Sequence, residues 1–196
     1  MVAGGIPGDI IAAIDNGDVW ISLCRPLDLY MHWYTNILSR RLGGNWWKAL
    51  IVLAVALCLP TAYRIGLPDS ALGFALFALS AIAAALLSVV YEMLIVTVRM
   101  DVSWGSGPMY LLQMMAYALS GGYLPLQLWP NFMQGFLAIQ PFAGTMDSPL
   151  RLYIGTIPPA QALAAITLQI GWICVFVWAG RILLCRKLKN VIVQGG

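Results

Sequence analysis

Residues 119–155, LSGGYLPLQLWPNFMQGFLAIQPFAGTMDSPLRLYIG, are too apolar for a loop in water and too broken for one membrane-spanning helix. Pro125, Pro130, Pro141 and Pro149 each remove a backbone donor and bias the preceding residue away from the helix, so only short helical pieces fit between them. The longest such piece is Asn131 to Gln140, with Phe132, Met133, Phe136 and Leu137 on one face. A helix of that length covers about half of a bilayer crossing. The sequence therefore predicts a re-entrant hairpin over residues 125–157. Non-helical backbone at membrane depth persists only where protein or a water-filled cavity satisfies it, so surrounding helices are implied. Two readings stand side by side: a lid or vestibule over a transport path, and an apolar loop among the headgroups anchored by Trp129 and Tyr153.

A membrane setting is required by the composition, which is 61% hydrophobic and 10% charged with a mean hydropathy of +0.82. The net charge of +3 is too small, and its cations too dispersed, to argue for a nucleic-acid partner. Cys24, Cys58, Cys174 and Cys185 form no CxxC pair and have no histidine cluster beside them, so neither a metal site nor a disulfide framework follows. The opening MVAGGIPGDI lacks the basic and apolar regions of a signal peptide, which places the start of the chain in the cytoplasm.

In chain order, Ile10, Ile11 and Ile14 predict a short surface helix closed at Asn16-Gly17. Leu27, Tyr30, Met31, Tyr34, Ile37, Leu38 and Leu42 then follow helical spacing, predicting an amphipathic helix on the membrane surface that ends at Gly43-Gly44. Arg40 and Arg41 would suit its C-terminal dipole or anionic headgroups. Residues 1–45 are thus read as a cytoplasmic segment and 46–196 as a transmembrane domain, with spans over 46–63, 71–98, 107–124 and 161–184. The fold class is an all-α polytopic membrane protein.

Ser80, Ala84 and Ser88, beside Ala81 and Ala85, put a small-residue stripe on the second span, suited to packing within the chain or to an oligomer interface. With the N-terminus inside, Arg25, Arg40, Arg41, Lys48, Arg99, Arg181, Arg186, Lys187 and Lys189 are cytoplasmic, leaving Arg64 and Arg151 outside. Both termini are then cytoplasmic and the hairpin external.

Residues able to carry chemistry are few. Glu92 is the carboxylate well inside a predicted span, read as a solvated or paired structural group ahead of a substrate or proton site. His32 has no partner for a triad or zinc site, and Ser120-Gly121-Gly122 has no histidine with which to act as a protease. No phosphate-binding G-x-x-x-x-G-K-[ST] loop occurs, so a nucleotide-driven process would need another subunit. No catalytic, cofactor-binding or metal residue is assigned.

Two regions resemble the permease subunits of type-2 ABC transporters, in particular an uncharacterised subgroup in which permeases occur as pairs. IDNGDVWISLCRPLDLYMHW, residues 14–33, is similar to the family's cytoplasmic segment, and residues 120–155 match its pattern of Gly, Pro-Leu, Pro, Pro-Phe and a closing Pro and Gly. The resemblance implies a coupling helix docking on an ATP-binding cassette ATPase through Asp15, Gly17, Asp18, Arg25 and Pro26. It makes Gly121, Gly122, Pro125, Pro130, Pro141, Phe142, Pro149 and Gly155 parts of an external re-entrant element. It also implies a second permease as partner, with ATP and Mg bound by the ATPase and not by this chain, and a place in the bacterial plasma membrane. Family members normally have six spans, so two N-terminal helices are expected to be absent here. A membrane scaffold or assembly subunit is the alternative.

Overall fold

The computed structural model describes residues 8–16, 28–58, 71–100 and 107–190. The described residues are helical throughout: α1 (Gly8–Asp15), α2 (Leu29–Cys58), α3 (Ala71–Arg99), α4 (Gly107–Leu119), α5 (Asn131–Ile139), α6 (Asp147–Tyr153) and α7 (Pro159–Asn190), with 3₁₀ turns at Leu126–Leu128 and Pro141–Thr145. Among the described residues, α3 and α7 are long and apolar enough to cross a membrane.

The centre of the fold is α3, which packs against α7, α6, α2, α4, α1 and the Pro141–Thr145 turn. Its C-terminal half is buried on every side, with Leu87, Val89, Val90, Met93 and Ile95 fully enclosed, whereas Leu72, Phe74, Leu79 and Ile82 near its start are exposed. A helix apolar all round needs cover all round, and here other helices provide it over one half. Along α3 the partners form a sequence. Phe77 meets Tyr153 of α6, Ser80 meets Gln169 of α7, Tyr91 meets Phe142 and Phe176, Glu92 meets Arg41, and Arg99 meets Asp15. From Phe77 to Arg99 is about 33 Å at the helical rise, close to the thickness of a hydrocarbon core.

Because Ser80 pairs with Gln169 and Tyr91 with Phe176, α3 and α7 run parallel. The chain between them must therefore return to the starting end. Part of that return is α4, antiparallel to α3, with the Tyr91 hydroxyl donating to the Leu112 carbonyl at 2.8 Å. The helix predicted over 107–124 stops at Leu119, 13 residues or about 20 Å in length and too short to cross alone. Its stop is a Schellman motif: the Gly122 amide donates to the Tyr117 carbonyl at 3.1 Å and the Gly121 amide to Ala118 at 3.3 Å, with Gly121 at φ 89°. α6 ends in the same way, with Thr156 donating to Arg151, Gly155 to Leu152, and Gly155 at φ 78°. At Gly122 a Cβ would lie 2.6 Å from the Tyr117 ring.

Two expectations for the N-terminal region require correction. Helix α2 passes through Gly43 and Gly44 without a break, so the amphipathic helix and the start of the predicted first span are one element across the 45/46 boundary. Each glycine costs about 1 kcal/mol relative to alanine, too little to stop a helix that propagates cooperatively from both sides. The buried face is Leu29, Tyr30, Trp33 and Ile37, packed in one cluster with α1, α3 and α7, while Met31 and Leu42 are exposed. That face meets protein, where the sequence predicted membrane surface. Nothing lies within 4 Å of a Cβ added at Gly43. Gly43→Ala is accordingly expected to stabilise the protein by about 0.5–1 kcal/mol, read as a raised unfolding midpoint in detergent.

Candidate functional site

The proline-broken segment is folded around its prolines. Pro125 and Pro130 are the N-caps of the Leu126–Leu128 turn and of α5, Pro141 opens the next 3₁₀ turn, and Pro149 sits in the first turn of α6. Proline fits these places because the missing amide would lack an intrahelical partner anyway. Residues that end one helix thus start the next, and the chain turns repeatedly within a few residues.

Each turn leaves backbone groups to satisfy, and long polar side chains reach them. The Gln134 carboxamide donates to the carbonyls of Leu126 and Trp129 at 3.1 and 2.9 Å. Gln140 donates to the Leu119 carbonyl at the end of α4, 2.7 Å, and its oxygen accepts from the Phe142 amide. From α7, the Trp172 indole donates to the Ile139 carbonyl at 2.8 Å, capping the end of α5. Gln169, only 2% exposed, donates to the Gly144 carbonyl at 2.7 Å and the Ser80 carbonyl at 3.3 Å, and accepts from the Ser80 hydroxyl at 3.2 Å. Three elements meet at this one carboxamide. The approach is close, for a Cβ on Gly144 would lie 3.0 Å from Gln169 and 3.3 Å from Leu87.

Gln169 and Trp172 lie near the centre of the predicted 161–184 span, so the broken segment reaches the middle level of α7. On α5 the apolar face divides: Leu137 is 2% exposed and packs with Leu126 and Ala143, whereas Phe132 is 84% exposed and Phe136 also faces outward. Trp129 packs inward against that small cluster, and Tyr153 meets Phe77 edge-on at 5.1 Å. Both expected headgroup anchors therefore make contacts inside the fold. Phe142 stacks edge-on against Tyr91 at 4.9 Å, joining the segment to the main core. In α6, burial pushes the Asp147 carboxyl upward against the opposing pull of Arg151, 3.6 Å away.

Charged groups collect at the Arg99 end of α3. Asp9 of α1 pairs with Arg40 at 2.7 Å, Asp15 pairs with Arg99, and Asp28 pairs with Arg181 at 3.4 Å. Arg181 also lies 5.5 Å over the Tyr30 ring. Burial drives the Tyr30 phenol up to about 12 despite that cation, so it stays neutral at physiological pH. Deeper along α3, Arg41 donates to Glu92 at 2.7 Å and to the Ser88 hydroxyl; both charged side chains are 8% exposed. They line a cavity of ≈ 20 Å³ with Tyr91, Gln113, Phe142 and Thr145, enough for about one water.

The structure thus distributes the expected site residues unevenly. Glu92 and Ser88 come together at Arg41, Ser80 belongs to the Gln169 junction, and Ala84 is buried between them. Asp15 is turned onto Arg99. Gly17, Asp18, Arg25 and Pro26 lie outside the described residues. Arg40 and Arg41, expected to serve a helix terminus or headgroups, hold α1 and α3 from within a continuous helix. Gln134, Gln140 and Gln169 were missed. The available signal was glutamine inside otherwise apolar runs, which in a membrane must find partners.

Among the described residues these features define an all-helical arrangement with two helices long and apolar enough to cross a membrane and a broken, side-chain-capped segment packed against them. No family model, curated protein or solved structure matches the chain.

Proposed function

We propose that this chain is the permease subunit of an ATP-driven type-2 ABC exporter, a multi-pass protein of the bacterial inner membrane. The observation that carries the reading is the broken segment, seated at the mid-level of α7 with its helix ends capped by Gln134, Gln140, Gln169 and Trp172. Irregular backbone at that depth is tolerated where it lines or covers a cavity, as beside a translocation path. The parallel run of α3 and α7 supports four spans, α2 supplying one and α4 together with the broken segment that follows it the return between α3 and α7, with both termini cytoplasmic. Arg40, Arg41, Arg99 and Arg181 at one end of α3, against Arg151 at the other, favour the same orientation.

In this reading a second permease completes the path and a separate ATPase binds ATP and Mg. Closure of the ATPase subunits moves the segment that includes Asp15, Gly17, Asp18, Arg25 and Pro26. Because Asp15 grips Arg99, that motion enters the central helix directly. The chain itself carries no catalytic residue.

The test is purification of the tagged chain from its native membrane in mild detergent. The expected result is a stoichiometric ATPase subunit whose hydrolysis, stimulated by this chain, falls at least about tenfold with Asp18→Lys or Arg25→Glu, as loss of a central charged contact would produce. Failure of any ATPase to co-purify across several detergents would sink the exporter and leave a membrane scaffold.

A further inference from the structure

The ion pairs around α1 form a closed circuit. Asp9 holds Arg40 of α2; the next residue, Arg41, holds Glu92 of α3; and Arg99, further along α3, holds Asp15 at the other end of α1. Between the two grips Ile10 and Ile14 are buried against the shared core. Consecutive residues on a helix point about 100° apart, so α2 presents Arg40 to α1 and Arg41 to α3 from one rigid turn. A shift of α2 that follows α1 must move both.

Arg41 and Glu92 also line the cavity together with Gln113 and Ala116 of α4. Each of α2 and α4 packs on α3, and Arg41 is the residue by which α2 reaches into this space. The grip of α1 is light: a helix of 8 residues, two apolar anchors, and ion pairs in which Asp9, Arg40 and Asp15 are substantially exposed. Elements held by so little are the ones that open locally at low cost.

We propose that α1 is a latch: docked, it holds Arg41 on Glu92 and keeps the cavity narrow; released, it lets α2 move away and widens the access of water to Glu92 and Gln113. The latch follows from contacts within this chain and does not depend on the exporter reading. Any partner that draws on α1 would operate it.

The experiment uses the full chain in lipid vesicles, with its cysteines replaced by serine and Gln113→Cys as the reporter for a water-soluble maleimide. Asp15→Arg is expected to raise the labelling rate about tenfold, and adding Arg99→Asp, which reverses the pair, to return it to the slow rate. A separate reporter, Leu163→Cys on the exposed side of α7, should not respond. Should Asp15→Arg fail to insert, Asp9→Asn with Asp15→Asn removes both grips without adding a cation and is read in the same way. An unchanged rate at Gln113, an increase that the reversed pair does not correct, or an equal increase at Leu163 overturns the latch.

Discussion

Arg41→Ala is expected to destabilise the protein by about 3–5 kcal/mol, among the largest effects of any single substitution in the chain. Arg41 gives one guanidinium nitrogen to Glu92 at 2.7 Å and another to Ser88, with both charged side chains 8% exposed. Truncation strands the Glu92 carboxylate among Tyr91, Ile95 and Phe142, where water can reach it only through a small cavity. Glu92→Ala strands the arginine instead and should cost a similar amount. Replacing the pair together, as Arg41→Met with Glu92→Leu, removes both charges and should recover most of the loss, since a buried pair is often no better than apolar packing of the same volume. The measurement is the unfolding free energy of all four proteins by steric trapping in bicelles. Additive losses in the double variant would show that the two side chains act independently and that the contact is incidental.

The same pair shows what a single chain of letters conceals. Helical spacing placed Arg40 and Arg41 on α2 and placed Glu92 inside the second span, yet periodicity describes a helix relative to its own axis. It contains no term for a neighbour 51 residues away. With Gly43-Gly44 taken as a stop, the arginines fell at a helix terminus and a dipole role followed; once the helix continues, that role disappears. Asp15 was likewise assigned to an outside partner because nothing local revealed Arg99. Backbone chemistry was far more legible. The helix of the second predicted span was expected over 71–98 and is observed as Ala71–Arg99, and the piece between Pro130 and Pro141 was expected to end at Gln140 and ends at Ile139. Proline geometry is local, so the sequence states it directly. The third predicted span illustrates the limit of hydropathy: residues 120–124 carry no charge that would end an apolar run, but a Schellman turn at Gly121 redirects the chain.

Gln169→Leu is expected to loosen the broken segment from the bundle, at a cost of about 1–3 kcal/mol. Leucine matches the side chain in size and suits a span, so hydropathy alone predicts a neutral or favourable change. The structure predicts loss, because the Gly144 carbonyl and the Ser80 hydroxyl lose this partner and the Ser80 carbonyl, already bonded within its helix, loses a second donor. Gly144 is nearly in van der Waals contact with Gln169 and Leu87, which leaves little space for a replacement donor. The range is kept low because polar groups in a membrane-embedded unfolded state also find partners, which reduces the net value of each bond. The effect should be local: amide exchange would quicken at Gly144 and Thr145 while the enclosed amides of Leu87 to Met93 in α3 stay protected. Gln169→Glu separates shape from donation, since a glutamate retains the length but, when ionised, offers no donor to either carbonyl. If both variants leave exchange at Gly144 unchanged, the carboxamide is not what holds the segment against α7, and the Trp172 bond to Ile139 with Phe142 on Tyr91 must carry the attachment.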